Sequence, residues 1–178
     1  MKKLLLLIFL SGPLMAADNE IFLDQSSGAS NTNIDLEQLG SGNIIGGSDA
    51  AAGSMTALKF TGTGGTLDIN QIGDSNKFLG DIVSDSYIGF FEFDGNSNTF
   101  NMNTDKTNTY GADSSNVNVD VTGNSNTFTL NHATTALAST LDLDWIINGN
   151  SNTITSGINA DSATNYVNID GNDNALTH

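Results

Sequence analysis

The sequence predicts an all-β fold: a short-repeat, two-sheet β-solenoid in which each unit gives one strand to each sheet. Three observations predict it. A turn of the form Gly-x-x-Asn recurs in six aligned units, at Gly40–Asn43, Gly73–Asn76, Gly95–Asn98, Gly123–Asn126, Gly149–Asn152 and Gly171–Asn174. Apolar and polar residues alternate on both sides of it, the period-2 pattern of a strand with one buried face. The apolar positions also keep their columns. Leu36, Ile69, Phe91, Val119, Trp145 and Val167 stand four residues before the glycine; Ile45, Phe78, Phe100, Phe128, Ile154 and Leu176 stand two after the asparagine. A unit this small cannot bury its own apolar face, so columns kept through every copy imply stacked repeats.

The clearest unit runs from Val117 to Leu130. Val117, Val119 and Val121 point to one face, and Asn118, Asp120 and Thr122 to the other. Gly123–Asn126 reverses the chain, with Gly and Asn expected to take the positive φ angles of a tight turn. Phe128 and Leu130 then return to the inward face.

Taken in order, Met1 to Ala17 reads as a secretory signal peptide. Lys2 and Lys3 form a basic start, Leu4 to Leu10 an apolar stretch, and Leu14-Met15-Ala16-Ala17 a small-residue end. The apolar stretch is too short for a membrane span. Residues 18–33 fit the repeat poorly and read as an N-terminal tail or degenerate cap, although Gly28-Ala29-Ser30-Asn31 resembles the turn. Residues 34–178 hold the six repeats. Successive turn glycines lie 33, 22, 28, 26 and 22 residues apart. Because the Gly-x-x-Asn side keeps four residues, the extra length is expected in the opposite connection. Ser48–Gly53, Asp105–Ser115 and His132–Ser139 are the candidate insertions.

Composition narrows the function classes. All 20 acidic residues follow Ala17, against three bases there, Lys59, Lys77 and Lys106. Nucleic acid and anionic membranes are poor partners for that surface. With no cysteine, no disulfide holds an exported chain together. No segment after the signal peptide reads as a membrane-spanning helix.

Two residues before the turn glycine stand Gln38, Gln71, Phe93, Val121, Ile147 and Ile169. Stacked Gln38 and Gln71 are expected to form an amide ladder along the axis, and the column Asn43, Asn76, Asn98, Asn126, Asn152 and Asn174 another. Gln38-x-Gly40-x-x-Asn43-x-Ile45 and Gln71-x-Gly73-x-x-Asn76-x-Phe78 resemble the curlin repeat, Gln-x-Gly-x-x-Asn-x-Ala. The resemblance covers Ile34 to His178 and is strongest in the turns. Four units lack the Gln, and the column after Asn is bulky rather than Ala. The curlin family forms secreted amyloid fibres from strand-turn-strand repeats of about 22 residues. The resemblance therefore implies a secreted, self-assembling fibre subunit at the cell surface, in adhesion or biofilm matrix. Its implied partners are further copies joined head to tail, a curli-like secretion pore and a nucleator.

Little in the sequence points to catalysis, and no catalytic residue or cofactor is expected. His132 sits in a candidate insertion with no base or orienting group beside it, and His178 is terminal. Carboxylate pairs such as Glu92/Asp94 and Asp142/Asp144 are expected on an outward face, solvated rather than enclosed. Asp35, Glu37, Asp68, Asp120 and Asp170 share that face. No calcium-loop spacing occurs, so diffuse screening by Ca²⁺ or other cations is expected in place of a specific metal site. The outward positions of the second strands carry Thr99, Thr127, Thr129, Thr153, Thr155 and Thr177. That array leaves open a monomeric ligand- or ice-binding solenoid, and a virion or cell-surface adhesin is a further alternative. The last unit, with Val167, Ile169 and Leu176 inward, has no following segment to cover it. It is the expected self-assembly edge.

Overall fold

The computed structural model describes residues 20–29, 32–47, 58–62, 64–84, 86–104, 114–132 and 138–178. Residues 1–17, expected from the sequence to be a signal peptide, lie outside them. The described residues form two parallel sheets facing each other across an apolar core, a β-solenoid with no helix. Strands are numbered β1 to β15 along the chain. The first strands of the six units are β3 (Thr32–Leu39), β6 (Gly65–Ile72), β8 (Ser86–Asp94), β10 (Ser114–Thr122), β12 (Ala138–Asn148) and β14 (Ala160–Asp170). They pair in that order to make one sheet. The second strands are β4 (Ile44–Gly46) with β5 (Leu58–Gly62), then β7 (Lys77–Ser84), β9 (Thr99–Thr104), β11 (Thr127–His132), β13 (Thr153–Ile158) and β15 (Ala175–Thr177). They make the other sheet, to which β1 (Glu20–Phe22) and β2 (Asp24–Ala29) add an outer layer over β4 and β5.

Register follows the sequence columns. Val119 pairs with Phe91 on one side and Trp145 on the other, and Trp145 with Val167. Phe128 pairs with Phe100 and Ile154. One residue of slip would turn every apolar side chain outward, so the buried face fixes this pairing. Trp145 is 0 % exposed. Phe78 stacks on Phe100 at 5.2 Å between ring centroids, and Phe93, Phe128 and Trp145 continue the contact edge-on. Aromatic pairs in these arrangements each contribute ~0.5–1.5 kcal/mol beyond the area they bury.

The connections differ from expectation in three places. The first candidate insertion, Ser48–Gly53, lies outside the described residues; the strands on either side of it, β4 and β5, both pair with β7, so the break falls within the second sheet of its unit. The second candidate insertion narrows to residues 105–113, outside the described residues, because Ser114 and Ser115 already belong to β10. The third narrows to residues 133–137, also outside them, because His132 ends β11 and Ala138 begins β12. Gly28 and Ala29 belong to β2 and so do not form a repeat turn; Ser30 and Asn31 lie outside the described residues. The segment before the repeats adds two strands to the second sheet: β1 pairs with β4, and β2 with β5.

Candidate functional site

The turns form one edge of the solenoid. Each turn glycine has φ between 114 and 145°. A Cβ there would also stand 1.8 to 2.1 Å from the carbonyl oxygen of the preceding turn glycine at Gly73, Gly95, Gly123, Gly149 and Gly171. Conformation and space therefore both demand glycine. The second positive φ falls on Ser75, Ser97, Ser125, Ser151 and Asp173, at 56 to 62°, and on Gly42 in the first turn. The asparagines are not at these angles. Their column has another use.

Asn43, Asn76, Asn98, Asn126 and Asn152 are buried. The N–H of each donates to the side-chain oxygen of the next: Asn43 to Asn76 at 3.0 Å, Asn76 to Asn98 at 2.8 Å and Asn98 to Asn126 at 2.7 Å. Asn126 donates to Asn152 at 2.9 Å, and Asn152 to Asn174 at 2.8 Å. The expected ladder therefore runs the length of the stack. A second, exposed ladder lies one residue after the glycine. Asn96 donates through its backbone N–H to Asp74 at 2.6 Å, Asn124 to Asn96 at 2.8 Å, Asn150 to Asn124 at 2.8 Å, and Asn172 to Asn150 at 2.7 Å. Sequence reasoning missed it. Its signal was the recurrence of Asn directly after Gly in four turns. The two ladders run in opposite directions, so the stack has polar, unlike ends.

The Gln pair also meets. Gln71 Nε2 donates to Gln38 Oε1 at 2.8 Å, and both side chains are buried. Gln71 Oε1 has no partner, facing the rung where Phe93 takes over the column.

The residues expected to form the self-assembly edge, Val167, Ile169 and Leu176, lie at one end of the stack. β14 and β15 are the edge strands of their sheets. Val167 and Ile169 are only half-buried, and Leu176 is 43 % exposed, while the same columns one rung earlier hold Trp145, Ile147 and Ile154 at 0 to 1 %. Exposed Tyr166 lies beside Val167. At the other end β3 is the edge of its sheet, but β1 and β2 cover the strands opposite.

The outward face of the first sheet carries the acidic residues, though not as a continuous ladder. Only Asp35 with Asp68 and Glu92 with Asp120 are direct cross-strand neighbours. Phe90, Asn118 and Tyr166 interrupt the column of Asp35 and Asp68, and Asn70 and Ile146 interrupt that of Glu92 and Asp120. Among the described residues no group of three or more acidic or histidine side chains is placed to hold a metal. On the opposite sheet Thr99, Thr127 and Thr153 align in one column and Thr129, Thr155 and Thr177 in the next.

His132 is a correction. It ends β11 and is fully buried. The inward alternation Phe128, Leu130, His132 carries it into the core. Its Nδ1 lies 2.8 Å from Thr104 Oγ1 and 3.4 Å from the Tyr87 hydroxyl, and its Nε2 has no partner. Burial lowers its pKa to about 4 and pushes the Tyr87 hydroxyl well above its ordinary value.

No family model, curated protein or solved structure matches this chain. Among the described residues, no helix is long and apolar enough to cross a membrane.

Proposed function

We propose that the mature chain is a secreted structural subunit that stacks head to tail into an amyloid-like fibre, in the manner its turn motif's resemblance to the curlin repeat implies. The observation that carries this reading is the last rung. Among the described residues β14 and β15 are edge strands of the two sheets, and Val167, Ile169 and Leu176 are partly exposed. An uncovered edge of regular parallel strands is a template for another chain. The contact is heterologous, because the two ends of the stack are unlike, and a heterologous contact propagates into a filament when its rotation does not close a ring. Export through a dedicated pore, and roles in adhesion or biofilm matrix, belong to the same proposal.

The test is Asn168→Pro. Asn168 lies in β14, and proline cannot donate to a strand ladder. Circular dichroism should show the solenoid still folded, because a stacked array can lose its terminal unit locally. Light scattering should show fibre growth abolished or strongly delayed. Growth at the wild-type rate would mean that this edge is not the growth surface.

A second reading rests on the aligned threonine columns, which offer a regular hydroxyl array on one sheet. A monomeric binding module, for ice or another ordered surface, would use that face and leave the protein monodisperse.

A further inference from the structure

On the assembly reading above, we infer that β1 and β2 form a displaceable cap, and that a second copy docks on the last rung only when they leave their place. The grounds are the unequal depth of the two sheets. β1 and β2 add a layer outside β4 and β5, and no described strand lies outside β3 in the facing sheet. Suppose a neighbour stacked with its β1 against β15. Its β3 would then stand two strand spacings from β14, ~9.6 Å where hydrogen bonding needs ~4.8 Å. One sheet would join and the other would be left with an empty slot.

With β1 and β2 displaced, β3 and β4 present a complete rung, and the register extends without conflict. Continuing the columns sets Val167 against Leu36 of the next copy and Leu176 against its Ile45. Ile169 meets Gln38, the kind of contact already present inside the fold where Phe93 follows Gln71. On the outward face Tyr166 meets Asp35, Asn168 meets Glu37, and Asp170 meets Leu39, so no acid is placed on an acid. The turn ladders also continue. Asn172 Oδ1 and the Asn174 N–H hold the positions that in preceding rungs bond to the next turn.

The cap is the least regular layer of the stack. β1 has three paired residues. The pairing of β2 with β5 shifts register between Gln25 and Ala29. At the opposite end β15 is as short as β1 but keeps register with β13, and β12 pairs with β14 from Ala138 to Asn148. Short, irregular edge strands open at the low end of a protein's local stability range.

A disulfide lock tests this in the full chain. Glu20 and Ile44 are register partners. Neighbouring strands stand ~4.8 Å apart, inside the ~4.4–6.8 Å that a disulfide spans between Cα atoms. The chain has no cysteine of its own. The Glu20→Cys/Ile44→Cys variant, oxidised, should stay folded by circular dichroism and form no fibres, and adding a reductant should restore the wild-type rate. Ile21→Pro, which loosens β1 without a bridge, should shorten the lag. Equal growth of the oxidised and reduced forms overturns the cap while leaving head-to-tail assembly intact. A longer lag for Ile21→Pro would make β1 the docking strand and also overturn it. If wild type and the reduced variant never polymerise, the assembly reading fails and the cap with it.

Discussion

At Asn126 one residue serves three rungs. Its Oδ1 accepts the Asn98 N–H at 2.7 Å, its Nδ2 donates to the Gly95 carbonyl at 3.2 Å, and its own N–H donates to Asn152. The site is buried, so water cannot replace these bonds. Asn126→Ala strands the Asn98 N–H and should cost ~1–3 kcal/mol. Asn124→Ala cuts the exposed ladder, where water takes over, and should cost less than ~1 kcal/mol. Urea unfolding of the two variants checks the difference; equal losses would mean that the inner ladder holds the turns no more firmly than the outer. The Asn column was legible in the sequence because it is invariant. Its role was only half legible. Asn is a familiar turn residue, yet the strained angles fall on Ser75, Ser97, Ser125, Ser151 and Asp173. Serine in that conformation is rare, so propensity pointed to the wrong neighbour.

The strands were legible wherever inward residues alternate without a break, as in Val117–Val121 and Leu141–Ile147. Alternation predicted the burial of Trp145 and the pairing of every unit with the next. It stopped being informative where the inward residue is polar. His132 continues the series of Phe128 and Leu130, but a histidine beside an insertion read as loop. β2 was missed because Asp24-Gln25-Ser26-Ser27-Gly28-Ala29 shows no apolar period, and β1 because its three residues are too few to show one. The buried histidine gives β11 a pH dependence. Its pKa falls from the ordinary 6.5 to about 4 in the folded chain, so the unfolded chain binds the proton more tightly. The stabilisation is complete above pH 6.5 and is lost as pH falls toward 4, up to roughly 3 kcal/mol. Urea midpoints at about pH 7.5 and pH 4.5 should fall further apart in the wild type than in His132→Gln. Equal spacing would mean that His132 does not couple folding to protonation.

At the scale of the whole molecule, charge opposes the proposed stacking. Three lysines face 20 acidic residues after Ala17, so approaching copies repel one another. The screening length shrinks from ~10 Å at about 0.1 M salt to ~3 Å at about 1 M. Assembly should therefore accelerate with sodium chloride, and further with calcium at equal ionic strength, because oxygen-seeking Ca²⁺ can bridge neighbours such as Glu92 and Asp120. Light scattering follows both, and rates indifferent to both would remove the acidic face from the mechanism. The central claim, that open terminal rungs join copies end to end, is tested most directly by negative-stain electron microscopy of the purified mature protein over time, seeded and at high salt. The account predicts unbranched fibres that lengthen with incubation. Monodisperse particles that persist under those conditions would contradict it.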